Sequence, residues 1–490
     1  MLLDLLTIDR NSDTPIFRQL IDQIINLIQT GVLIPESQLP GTRKIADKML
    51  IHRKTVVAAV DELVAQGWLE TFRGKGTFVA REISSAFDQF TTSVSVSRCS
   101  PTITIPEVID REVSISVSKY HLDDGLPDPR LAPVEELMRA YKNALTKGWR
   151  YPRYTYGDTK GQLILREALC EYLSRTRGIH VHRDQILVTR GVTQALYLVI
   201  KGFISTGQLV AIGELTWESA RINFRYHGAE LIKIRVDEEG LDVDHLEQVC
   251  QEKQIRMVYV TPHHQYPTTV IMPAHRRVKL LQLSRQYGFY IFEDDYDYDF
   301  HYTRHPIMPL AAASHQGQVL YTGSFTKAIS PVFRVGYLVG QEDQIDYLAK
   351  LRRLVDRQGD GILELAIAEL LKLEIIQRFL RKNRKIYQQR RDAFVTLLND
   401  YVSDWISYKV PEGGMSVWTH FDRQIDLQTL AARAKGENLF FYDGSTYTSG
   451  GNHINATRLG FASSSFDELQ ISVSILRQLL PRSMAKNKGS

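Results

Sequence analysis

The sequence predicts an α/β protein of two unequal parts: a small N-terminal unit of three helices and a hairpin, and a large unit with a mostly parallel sheet between helices. Three observations carry this expectation. Residues 1–80 hold apolar positions at helical spacing, then two short β-rich stretches around a Gly-flanked tip. From about residue 119, short apolar runs alternate with helical patterns, as expected for strands covered on both faces. Between them, residues 81–118 are rich in Ser and Thr and short on large apolar residues, which offers little burial against the entropy of ordering the chain.

Composition bounds the function. At roughly 150 residues per domain, the 490 residues allow two or three folding units. A chain that is 43% hydrophobic and 24% charged is neither a fibre nor wholesale disordered. No run approaches the roughly 18 uncharged apolar residues of a membrane span; the best, Leu196–Ile204, carries Lys201. The start, MLLDLLTIDR, has Asp4 and Asp9 and no basic residue before its apolar stretch, unlike a signal peptide. Cys99, Cys170 and Cys250 lie far apart without a CxxC, which excludes a disulfide framework and fits a reducing, cytoplasmic compartment. A net charge of +4 says nothing about nucleic acid by itself.

The first helix opens at Pro15, where a missing N–H costs nothing. Ile16, Phe17, Leu20, Ile24, Leu27 and Ile28 form its apolar stripe, and Gly31 ends it. Thr42 is a candidate cap for a second helix to about Leu50, and a third runs from about Arg53 to Gln66 with Val56, Val57, Val60 and Leu63 inward. GWLET and GTFVA form the hairpin. Three helices and a hairpin make a winged helix-turn-helix. Residues 1–80 are neutral overall, with nine basic and nine acidic side chains, so the cluster Arg43, Lys44, Lys48, Arg53, Lys54 focuses positive field on one face. Arg53, Lys54 and Thr55 open the third helix, the part that meets base edges in this motif. Arg73 and Lys75 sit on the hairpin tip, within reach of backbone or minor groove. Arg43, Arg53, Lys54, Thr55, Arg73 and Lys75 are therefore the expected contacts to double-stranded DNA. The run LPGTRKIADKMLIHRKTVVAAVDELVAQGWLETFRGKGTFVA resembles the GntR family of bacterial regulators. His52 stands where that family usually has Ser, a better N-cap.

Residues 81–118 read as a linker or as a pair of edge strands, because Val94, Val96, Val113, Ile115 and Val117 alternate with polar residues. Beyond it, ILVT (186–189), LVAIG (209–213), MVYVT (257–261), FYIF (289–292) and VLYTG (319–323) are the buried strands, with helical patterns such as Arg276–Tyr287 between. Ligands of such sheets bind beyond the carboxyl ends of the strands. There, Lys327 lies three residues after Ser324 and seven before Arg334, joining an amine to the hydroxyl and guanidinium of an anion anchor. FYIFEDDYDYDF ends a strand in acids, and alternation points Asp294 and Tyr296 the same way. Such a carboxylate can keep a pyridine nitrogen protonated, and a phenol can bond a ring hydroxyl. No metal is expected, because no further ligand is spaced to join these acids. The turn at Gly191, Val192 and Thr193 opens a helix, an anion site. Trp217 is either a ring-stacking or a core tryptophan.

Together these segments, with DGLPDPRL (124–131), YGDTKGQLILREAL (156–169) and ATRLGFA (456–462), resemble aminotransferase class I/II proteins of pyridoxal phosphate fold type I. The resemblance implies pyridoxal 5'-phosphate as cofactor. It gives Lys327 the internal aldimine, Asp294 the pyridine nitrogen and Tyr296 the 3-hydroxyl. Ser324, Arg334 and the backbone of Gly191, Val192 and Thr193 hold the phosphate, with Trp217 on the ring. Tyr156 reaches a second subunit's phosphate, which implies a homodimer, and Arg458 grips a ligand carboxylate. VTPHHQYPTTV (260–270) departs from the Asn-Pro and Gly of catalytic members, and its His263 and His264 either line the ligand cavity or sit on a surface loop. Winged helix, linker and this domain in that order resemble the MocR subfamily of GntR regulators. The implied layout is a DNA-binding domain at 1–80, a linker at 81–118, a cofactor domain at 119–482 and a tail at 483–490. The implied function is a DNA-binding regulator sensing a small amine, an amino acid or the cofactor itself through Lys327. A working transaminase carrying a DNA-binding module, and a DNA-binding scaffold with an inert pocket, are the alternatives.

Overall fold

The computed structural model describes residues 2–83, 103–110, 116–146, 155–302, 307–313, 316–447 and 454–481. The chain divides into two compact units, Met1–Thr104 and Ile105–Ser490. Most of the expected linker and the expected tail lie outside the described residues. No helix among the described residues is long and apolar enough to cross a membrane.

In the small unit, α1 (Ile16–Gln29) buries Leu20, Ile21, Ile24 and Ile28. Phe17, expected in the stripe, is largely exposed; the inward face turns through Ile21 instead. Helix α2 (Thr42–Met49) is preceded by Gly41, not capped by Thr42; the Thr42 hydroxyl accepts a long bond from Arg53 Nε. Helix α3 (Arg53–Ala65) buries Val56, Ala59, Val60 and Leu63. His52 caps it after all: its Nδ1 accepts from the Lys54 backbone N–H at 3.2 Å, the service a Ser hydroxyl gives elsewhere. Strands β1 (Leu69–Phe72) and β2 (Gly76–Val79) pair antiparallel, from Leu69 opposite Val79 to Phe72 opposite Gly76. The tip is Arg73-Gly74-Lys75, and Gly74 supplies the positive φ of 79° that the turn requires.

In the large unit, seven strands lie in the order β3 (Ile186–Thr189), β9 (Gly336–Val339), β8 (Val319–Ser324), β7 (Tyr290–Asp295), β6 (Ile255–Val260), β4 (Leu209–Gly213), β5 (Glu230–Ile234). All neighbours are parallel except β9, which runs antiparallel to both β8 and β3. Apolar side chains fill both faces: Leu187, Ile212, Tyr259, Phe292 and Leu320 on one, Ala211, Val258, Ile291 and Val319 on the other. Helices α4 (Val192–Phe203), α5 (Glu218–Tyr226) and α6 (Ala274–Tyr287) are among those that connect the strands, and the parallel crossovers require such covers. After the long helix α7 (Ile375–Val402), a three-stranded antiparallel sheet of β10 (Ile406–Tyr408), β11 (Ser416–Phe421) and β12 (Ala456–Gly460) packs with α8 (Phe466–Leu479) in the main core. The short parallel pairing of Tyr120–His121 with Leu439–Phe440 ties the segment holding Asp124 to that core.

Candidate functional site

The carboxyl ends of β3, β4, β6, β7 and β8 converge on a cavity of about 200 Å3. Its walls include Val192, Thr193, Trp217, Asp294, Tyr296, Ser324, Lys327 and Arg334. All eight were singled out in the sequence, Trp217 with a core role left open. Alternation along β7 does the sorting. Asp294 and Tyr296 turn into the cavity, while Glu293 and Asp295 turn to the other face. Glu293 there accepts from the backbone N–H groups of Leu310 and Ala311, and Asp295 accepts from the Tyr321 hydroxyl at 2.6 Å.

Asp294 is fully buried. Its Oδ2 accepts from the Tyr259 hydroxyl at 2.7 Å, and its Oδ1 has no partner. Burial, against the pull of Tyr259, pushes its carboxyl up to about 7. Lys327 is half-buried. Burial lowers its amine below the ordinary lysine range, and its Nζ donates to the Gly125 carbonyl. An amine biased toward neutrality is a nucleophile.

Opposite Asp294 the cavity is an anion cradle. Gly191 caps α4 with φ 75°, so the free N–H groups of the first turn point out of the helix. A Cβ on Gly191 would stand 3.1 Å from Arg334 Nη2, so any side chain there would push the guanidinium aside. Arg334 is itself left-handed, with φ 48°, and donates to the Arg190 carbonyl at 3.0 Å. The hydroxyls of Ser324 and Thr326 lie 2.7 Å apart at the same end.

The unpartnered Asp294 oxygen, the Lys327 amine and the cradle fit the three ends of a pyridoxal phosphate: ring nitrogen, aldehyde and phosphate. Trp217, at the start of α5, flanks the space for the ring.

Four candidate residues lie elsewhere. Tyr156 is 72% exposed, with the Arg357 guanidinium 3.9 Å over its ring, and does not line the cavity of its own chain. His264 is a correction: its ring is wholly buried, with Nδ1 2.7 Å from Asp297 Oδ1, and packs under Gly413 so closely that no side chain fits there. Only its backbone carbonyl turns toward the site, accepting from Tyr296 at 3.2 Å. His263 is likewise buried, edge-on to His264 and against Tyr298, and burial drives its ring well below the ordinary histidine range. Arg458 is 1% exposed and lies one layer behind the walls. Sequence reasoning missed the wall residues Asp124, Tyr259, Thr261, Tyr266 and Thr326. Each lay inside a run already singled out; Tyr259 in MVYVT could have been found as the β6 neighbour of β7, one pleat from Asp294.

On the small unit, Arg43, Arg53, Lys54, Arg73 and Lys75 are exposed and Thr55 is half-buried. Lys48 is tied to Asp4. The positive face of α2, the α3 start and the tip is therefore presented to solvent.

A helix-turn-helix unit of this kind joined to a unit with an aminotransferase sheet and cavity defines a class: a regulator-type DNA reader fused to an aminotransferase-like domain. Comparison with known proteins agrees. Residues 119–472 match the family Aminotransferase class I and II, and residues 17–79 match Bacterial regulatory proteins, gntR family. The chain is 27% identical, over 89% of its length and 88% of the relative's, to the probable rhizopine catabolism regulatory protein MocR of Rhizobium meliloti. It is 27% identical, over 96% and 97%, to the HTH-type pyridoxine biosynthesis transcriptional regulator PdxR of Corynebacterium glutamicum. Among solved structures, LysN, the alpha-aminoadipate aminotransferase of Thermus thermophilus complexed with N-(5'-phosphopyridoxyl)-L-leucine, aligns with a TM-score of 0.68 at 28% identity, over 74% of this chain and 91% of that one. The chain belongs to the aminotransferase class I and II family and, by its gntR-type N-terminal unit, to the MocR subfamily of regulators.

Proposed function

We propose that this chain is a DNA-binding transcription regulator that holds pyridoxal 5'-phosphate in its cavity and responds there to a small amino compound. One observation carries the reading: a half-buried lysine amine biased toward neutrality shares a small cavity with an unpartnered buried aspartate oxygen. A buried unpaired polar atom is costly, so the unpartnered Asp294 Oδ1 beside this cavity points to a polar ligand. When bound, pyridoxal phosphate supplies an aldehyde that condenses with primary amines and a ring that withdraws electrons once its nitrogen is protonated.

The residues divide the work. Asp294 Oδ1, aimed by the Tyr259 hydroxyl on the other oxygen, would accept a hydrogen bond from the cofactor's protonated ring nitrogen. Tyr296 and Trp217 orient and cover the ring. The α4 N-terminus, Ser324, Thr326 and Arg334 neutralise the phosphate. Lys327 offers the amine that an incoming ligand amine replaces, and Gly125, whose carbonyl takes its proton-side contact, steadies it. Arg43, Arg53, Lys54, Thr55, Arg73 and Lys75 contact the duplex. Regulation follows if the two lysine states differ in domain position, which makes ligand binding and DNA binding mutually coupled.

A homodimer is part of the proposal. Thr193 and Arg334 also border a wide apolar cleft with Val134, Met138, Leu145 and Val332, of which Met138 and Val332 are mostly exposed. A second copy seated there would bring its own Tyr156 to the cradle and present two reading heads to two half-sites.

The test is DNA affinity of the full chain for duplexes selected from a random library, with cofactor alone and with cofactor plus a panel of amines and amino acids. A change of severalfold or more on adding one ligand class is expected; unchanged affinity with cofactor and every ligand would overturn the reading. The intact lysine and aspartate also favour a second reading, a working transaminase. It requires sustained turnover of amine and keto acid at ordinary enzymatic rates of about 1 per second or more.

A further inference from the structure

The chain's own carboxylate occupies the arginine that the family resemblance gives to a ligand. Arg458 Nε lies 2.5 Å from Asp124 Oδ1, an ion pair rather than an aligned hydrogen bond. Its Nη1 donates to the Pro267 carbonyl at 3.2 Å, and the guanidinium lies 4.8 Å over the Tyr266 ring. The Tyr266 hydroxyl donates to Asp124 Oδ2 at 2.8 Å. Both oxygens of Asp124 are thus engaged, and the guanidinium charge is matched inside the chain. Asp124 also lines the cavity, next to Gly125, whose carbonyl holds the Lys327 amine. The carboxylate therefore faces the place where a ligand's α-carbon must sit once its amine has reached the lysine position.

An α-amino acid brings a carboxylate on that carbon. It must either lie against Asp124, like charge on like charge in a confined cavity, or displace Asp124 from Arg458 and leave a half-buried carboxylate without its cationic partner. A primary amine lacking that group leaves the pair intact. We infer that Asp124 makes this site select primary amines without an α-carboxylate over α-amino acids. The inference rests on the cofactor reading above.

The test uses the cofactor-free full chain and two stable ligands that differ only in the carboxylate: N-(5'-phosphopyridoxyl)-3-methylbutylamine and N-(5'-phosphopyridoxyl)-L-leucine. Their affinities are measured by calorimetry, with pyridoxal phosphate as the control. The amine adduct is expected to bind at least about tenfold more tightly. Asp124→Asn, which keeps the shape and removes the charge, should cut that preference by about tenfold or more, mainly through tighter binding of the leucine adduct to the freed Arg458. Equal affinities, or a preference for the leucine adduct in the unaltered chain, would overturn the inference whatever the variant does. If pyridoxal phosphate and both adducts fail to bind, it is the cofactor reading that falls, and the inference with it.

Discussion

Replacing Asp294 by Asn should stabilise the cofactor-free chain at alkaline pH while crippling cofactor binding. Burial holds the Asp294 carboxyl at about 7, against 3.8 for the free side chain. Glu293 and Asp295, on the opposite face of the same strand, are pushed up to about 7 and about 6. Between pH 4 and 7 the folded chain therefore keeps protons that the unfolded chain has released. Stability must fall as pH rises through that window and level off above it. A displacement of some three units at about 1.4 kcal/mol each makes the Asp294 share roughly 4 kcal/mol by pH 8. An Asn there still accepts from Tyr259 but leaves an amide N–H facing the cavity, which costs about 1–2 kcal/mol. The net gain is about 2 kcal/mol at pH 8 and vanishes near pH 5. Urea midpoints of the cofactor-free full chain at the two pH values measure it. In parallel, loss of the charged partner should weaken pyridoxal phosphate by roughly 10- to 100-fold. An Asp294→Asn chain destabilised equally at both pH values, or one that binds cofactor like the parent, would refute the reasoning.

Other substitutions probe the same logic. Tyr259→Phe leaves both Asp294 oxygens unpartnered, so it should raise that carboxyl further and weaken cofactor by about tenfold, read from a fluorescence titration. Gly191→Ala places a methyl beside Arg334 at a positive φ, and about 1–2 kcal/mol of backbone strain should appear as a loss of cofactor affinity with circular dichroism unchanged. Arg53→Ala should weaken duplex binding by about 1–3 kcal/mol and relax the sequence preference; unchanged affinity at physiological salt would remove Arg53 from the interface. His52→Ala should cost about 1 kcal/mol of helix-start stability, seen as faster exchange of the Lys54 amide, whereas His52→Ser, which restores the better cap, should keep or slow that exchange.

The fold was legible because its signals are local. Uninterrupted runs such as ILVT and LVAIG can only be strands buried on both faces, and the structure places them at Ile186–Thr189 and Leu209–Gly213. The period-two rule likewise put Asp294 and Tyr296 on one side before any contact was known. What escaped is non-local. The edge strand Glu230–Ile234 is amphipathic and partly exposed, so it lacks the run of apolar residues that marks its neighbours. His264 looked like a cavity residue because its loop reaches the strand ends; only three-dimensional packing against Gly413 and Asp297 turns the ring away. The Asp124–Arg458 pair joins residues far apart in the chain, and no spacing rule links DGLPDPRL to ATRLGFA. His52 is the converse: an unusual residue at a cap position that nonetheless supplies the acceptor the helix requires.

The most direct measurement is on the Lys327 amine. Full-length chain saturated with pyridoxal phosphate, reduced with borohydride and digested, should yield one phosphopyridoxyl mass, on the peptide carrying Lys327. Prior addition of a primary amine should remove that mass and release the reduced amine adduct instead. A label spread over surface lysines, or none at Lys327, would contradict the assignment of this cavity to the cofactor.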